Sequence, residues 1–158
     1  MDDKRKTELF KNLDWTETIS VQNEAVNIFI EEGDTQLFGE LLTKAYVCKC
    51  LEKSKLDNIV LILSKIGYPA NRQSIEGLLY LLQDINWPGA HMGISVLLAM
   101  DRPYLLVHLE QAIRLAYDDG DYMWLYGLWH LVEQGSISDK DFVSADTMNC
   151  FELLDWEE

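Results

Sequence analysis

Apolar residues recur at three- and four-residue spacing along almost the whole chain, and runs that alternate every second residue stop at three or four positions. That periodicity, more than anything else in the sequence, restricts the fold to packed helices. In SVQNEAVNIFIEE, Val21, Ala25, Ile28 and Phe29 share one face, and Gly33 follows as a stop. Asp34 is then placed to cap TQLFGELLTKAYVCKCL. LDNIVLILSKI puts Leu56, Ile59, Val60, Leu63 and Ile66 on one stripe, ended by Gly67 and Pro69 of GYP. SIEGLLYLLQDI is apolar nearly all round, as a helix buried between neighbours would be.

LLQDINWPGA joins two such helices. Pro88 suits a first helical turn, Trp87 is placed to pack back as a staple, and Asp84 and Asn86 can take free amides at the helix start. The next helix segment carries Met92, Ile94, Val96, Leu97 and Leu98. Asp101 and Pro103 punctuate YLLVHLEQAIRLAY in the same way, and a further helix is expected to start near Asp121. Ser138 and Asp141 have capping-box spacing, and the ends MDDKRK and DWEE are expected to fray. Trp15, Leu51, Trp87 and Trp124 recur at about 36 residues, each near a helix start, the period of two-helix repeats. The expectation is one all-α domain over residues 1–158, built of HEAT-like helical hairpins in a short right-handed stack.

KSKLDNIVLILSKIGYP, LLYLLQDINWPGA and DDGDYMWLYGLW, between Lys53 and Glu133, resemble a small bacterial family of HEAT-like helical domains of unknown function. The shared elements are a K-x-D start, a G-Y-P stop, a Q-D-x-N-W-P corner and an acidic-aromatic helix start. Leu81 stands where that family usually has Trp, and Gly89 where it often has Val; residues 1–50 lie outside the match. The resemblance implies an all-helical fold and carries no established activity.

Charge bears on function more directly. The net charge is −14, and residues 118–158 hold 11 acids against the single Lys140. Such a field opposes nucleic acid and anionic membranes and attracts basic proteins; a solvated, solubilising face is the plainer reading of the same charge. The polar start MDDKRKTELF lacks an apolar signal region, no run approaches membrane-spanning length, and a cytoplasmic location is expected. Cys48, Cys50 and Cys150 form neither a disulfide framework nor a zinc pattern, which leaves buried or idle thiols.

Catalytic patterns are missing: there is no phosphate loop, no G-x-S-x-G and no H-E-x-x-H. His91, His108 and His130 fall on different helices; His130 and Glu133 form half of a metal-ligand pair with no second half. DDGD at 118–121 reads as a turn plus helix cap, not a calcium loop. The expectation is a non-enzymatic protein that needs no cofactor or metal. Tyr122, Tyr126, Trp129 and Glu133 share a helix face distinct from that of Leu125, Leu128 and Val132, with Asp118, Asp119 and Asp121 before them and Asp139 and Asp141 after. Aromatic anchors ringed by carboxylates suit a basic protein partner, such as a toxin nuclease domain neutralised by an immunity protein. Trp129 and Tyr126 are equally compatible with core packing between repeats. The alternatives are a scaffold or regulatory adaptor that binds a peptide or protein in the concave face, and a metal-dependent enzyme built on His130.

Overall fold

The computed structural model describes residues 1–35, 37–38 and 53–154, and among these every regular element is helical. Most of TQLFGELLTKAYVCKCL, with Cys48, Cys50 and Leu51, and the end DWEE lie outside the described residues.

Local signals account for most helix boundaries. Helix α1 (Asp3–Lys11) is not frayed: the Asp2 carboxylate accepts the Arg5 amide at its start, and Lys6 reaches Asp34 at 2.7 Å. Helix α2 (Ile19–Glu32) is capped by the Thr18 hydroxyl and stopped by Gly33 at φ 64°. Between them the Asp14 carboxylate accepts from the Thr16 amide and hydroxyl and, at 2.6 Å, from the Ser54 hydroxyl. This ties the α1–α2 turn to the 3₁₀ turn Lys53–Lys55 that opens α3 (Leu56–Ile66). Leu56, Ile59, Val60 and Leu63 are fully buried, and Gly67 ends α3 at φ 76°, as the spacing predicts.

Helix α4 (Ile75–Leu81) is buried along most of its length, in keeping with its all-round apolar sequence. The corner after it departs from expectation. Helix α5 (Ala90–Leu98) begins after Pro88, and its N-cap is Gly89 at φ 81° with no side-chain cap. A Cβ at Gly89 would stand 3.1 Å from the Leu56 carbonyl oxygen, so close passage over α3 decides the boundary. Asp84 Oδ1 accepts the Asn86 amide inside the turn and does not cap α5; Trp87 is half-buried with Lys53 Nζ 4.7 Å from its ring centre.

Helix α6 (Arg102–Asp118) is capped by Asp101, with Pro103 in its first turn, and α7 (Tyr122–Gln134) is capped by Asp121, both as read from the sequence. Helices α2 and α3, α4 and α5, and α6 and α7 pack as neighbours, and α4 also lies on α6. Buried side chains from all of these elements join one apolar cluster.

After α7 the chain turns 3₁₀ at Asp139–Asp141 and Ala145–Leu153 and lies across α6 and α7. The capping box of Ser138 and Asp141 forms, on a 3₁₀ turn. Tertiary contacts hold this strap. The Glu110 carboxylate on α6 accepts the Val143 and Ser144 amides and the buried Thr147 hydroxyl, while Arg114 donates to Asp146 and to Thr147. Phe142, Cys150, Phe151 and Leu154 are buried beneath it.

Candidate functional site

DDGD closes α6 and opens α7. Gly120 sits at φ 64°, the Asp121 amide reaches back to the Ala116 carbonyl, and Asp121 Oδ1 accepts the Trp124 amide at 3.1 Å. This is a left-handed helix stop joined directly to an N-cap, so the turn needs no ion to hold its shape. Asp118 and Asp119 are exposed on it.

The inner face of α7 carries Leu125, Leu128 and Val132 into the core as expected, together with fully buried Trp124. Trp124 Nε1 donates to the Leu79 carbonyl of α4 at 2.9 Å. The outer face begins with Tyr122, Met123 and Tyr126, which are 56%, 61% and 44% exposed. With Asp84, Ile85 and Asn86 of the α4–α5 corner, and Leu154 at the end of the strap, they line a surface groove of about 270 Å³.

The expected single stripe does not continue. Trp129 is half-buried, its ring 5.4 Å from that of Phe151, because the strap lies over this part of α7. Glu133 is exposed at the far end of the helix. Asp139 and Asp141 are not beside Asp118, Asp119 and Asp121. Asp141 pairs with Arg102 at the start of α6, whereas Asp118 ends that helix; 17 residues at about 1.5 Å each separate the two ends by roughly 25 Å. The Ser138 amide, with Arg102 beside it, holds the Asp141 carboxyl below the ordinary range. Asp141 therefore secures a turn. The structure places Tyr122 and Tyr126 at the groove, whose lining includes none of Asp118, Asp119 and Asp121. Those three lie on the turn that leads into α7, where Asp118 lines a separate depression with Glu110, Arg114 and Asp146. Trp129, Glu133, Asp139 and Asp141 lie apart from the groove.

Sequence reasoning missed Met123, Asp84, Ile85, Asn86 and Leu154. Met123 lies across the helix from Leu125, Leu128 and Val132, so its exposure was legible from helical spacing; the corner residues are joined to α7 only by tertiary packing. It also treated the histidines as scattered, yet His91 and His130 lie with ring centres 6.3 Å apart, and Tyr126 meets His130 edge-on at 4.7 Å. The His130 Nε2 is buried and has no hydrogen-bond partner among the described residues. Among those residues no group of three or more His, Cys, Asp or Glu side chains is placed to hold a metal, Glu133 and His130 included. Cys150 is buried, and burial pushes its thiol pKa up. No helix among the described residues is long and apolar enough to cross a membrane.

In comparison with known proteins, the chain matches no protein-family model, no curated protein and no solved structure. The Q-D-x-N-W-P resemblance accordingly assigns no family.

Proposed function

We propose that this chain is an acidic protein-binding module, and specifically an immunity protein that neutralises a cognate bacterial toxin in the cytoplasm by covering the toxin's basic surface. The observation that carries this reading is the exposure of Tyr122, Met123 and Tyr126 beside Asp84, just after the acidic 118–121 turn in the chain, on a protein of net charge −14. Large, rigid side chains contribute most of the binding energy at protein interfaces, while surrounding charges set orientation and association rate. The carboxylates would occupy the places of nucleic-acid phosphates on a basic nuclease. The body that presents this face is a short right-handed stack of HEAT-like hairpins; the pairing of α2 with α3, α4 with α5 and α6 with α7 supports that description.

The test is to mix the purified chain with purified basic nuclease toxin domains, beginning with any that a neighbouring gene encodes. A complex of micromolar or tighter affinity is expected, weakening as salt rises. Reversing charge at Asp118 and Asp119 to Lys should slow association. No complex at micromolar concentration and moderate salt overturns the proposal. A complex that ignores the charge reversals and is lost on substitution along the inner helices favours an adaptor with a concave binding face.

A further inference from the structure

We infer that the groove between α7 and the α4–α5 corner is the seat of an arginine side chain from the basic partner, an inference that rests on the protein-binding reading above. Its lining divides into two chemistries. Ile85, Met123 and Leu154 offer apolar surface, while the rings of Tyr122 and Tyr126 and the carboxylate of Asp84 offer electron-rich and anionic surface. Asp84 Oδ1 accepts the Asn86 amide at 2.9 Å, which fixes the carboxylate, and no lysine or arginine pairs with it among the described residues. Trp87 in the same corner has Lys53 4.7 Å from its ring centre, and the exposed rings that line the groove are those of Tyr122 and Tyr126.

Size and charge select the occupant. A groove of about 270 Å³ falls just below the roughly 300–1,000 Å³ of small-molecule sites, and is suited to one long side chain. A side chain that is apolar along its stem and cationic at its head matches both chemistries at once. Arginine fits better than lysine, because its planar guanidinium stacks on rings and meets a carboxylate through two parallel hydrogen bonds. The chain as a whole is strongly negative, with a net charge of −14, which favours a cationic occupant over an anionic one.

The experiment is a ¹⁵N NMR titration of the whole chain with three short peptides of Gly, Ser and Leu, identical except for one central arginine, lysine or citrulline. The arginine peptide is expected to shift the amides of residues 84–86 and 122–126, and to bind about five times more tightly than the lysine peptide. Citrulline, uncharged and of the same shape, should not bind measurably. Tyr122→Ser and Tyr126→Ser, each at an exposed position, should each weaken the arginine peptide about threefold; Asp84→Asn, which keeps an acceptor for the Asn86 amide, should weaken it about tenfold. Equal binding of the arginine and lysine peptides, shifts spread along the acidic surface without the groove, or no shift at millimolar peptide would each overturn the inference. None of those results touches the complex with a basic toxin domain, whose own failure is read separately by the mixing experiment.

Discussion

Gly127 in α7 lies directly against the main-chain oxygen of Leu82 at the end of α4, so close that a Cβ at residue 127 would stand 1.8 Å from that oxygen. Three residues earlier the Trp124 indole N–H binds the Leu79 carbonyl. These two contacts seat α7 on the end of α4, and Ile85 and Asn86 follow three and four residues after Leu82. The groove beside Tyr122 and Tyr126 is the outer consequence of this close approach.

Gly127→Ala puts a methyl group where backbone already stands, and a backbone oxygen cannot rotate away. The expected loss is about 1–3 kcal/mol or more, as for other overpacked cores. Urea unfolding followed by far-UV circular dichroism measures it; a loss below about 0.5 kcal/mol would mean that α7 shifts freely on α4.

Trp124→Phe removes the indole donor and leaves space in the core. Leu79 O also accepts the Leu82 amide at 3.2 Å, so the carbonyl is not orphaned, and the expected destabilisation is about 1–3 kcal/mol, dominated by lost packing. Unchanged thermal stability of the purified variant would contradict the role given to this contact.

Glu110→Ala withdraws the acceptor shared by the Val143 and Ser144 amides and the Thr147 hydroxyl. Faster amide hydrogen exchange is expected across residues 143–147, with little change in α3 and α4, because the strap is held to α6 by this carboxylate and by Arg114. Exchange that rises equally throughout the molecule would show the strap and core to be one cooperative unit.

Asp14 supplies the pH dependence. Its bond from the Ser54 hydroxyl comes first among the causes that lower its pKa from an ordinary 3.8 to about 2, with the Thr16 amide and hydroxyl and Lys55 assisting. A carboxyl that is more acidic when folded contributes its full stabilisation above the unfolded value and loses it as pH falls through the folded one. The α1–α3 connection should therefore weaken between about pH 4 and pH 2. Asp14→Asn should lower stability at neutral pH and flatten that part of the stability profile, as followed by urea titrations at fixed pH. An unchanged acid limb would exclude Asp14 as its source.

Much of the fold was legible because caps and stripes depend on residues within about four positions of one another. Thr18, Asp101 and Asp121 open helices by accepting amides three residues on, and Gly33 and Gly67 close them with positive φ. The α5 boundary was not legible in this way: Pro88 looks like a first-turn residue, but passage of Gly89 over the Leu56 carbonyl places the start after it. Nor was the strap, whose amides answer to Glu110 more than 30 residues earlier.

The candidate site divides along the same line. Periodicity alone separated the buried face of α7, with Leu125, Leu128 and Val132, from the face that begins at Tyr122, because helical geometry fixes which residues share a side. Only the tertiary structure decided that Phe151 covers Trp129, that Asp141 turns to Arg102 at the far end of α6, and that Asp84 joins the tyrosines. Those outcomes depend on contacts between segments tens of residues apart, and such contacts are set by how helices of given length stack, a quantity no local pattern contains.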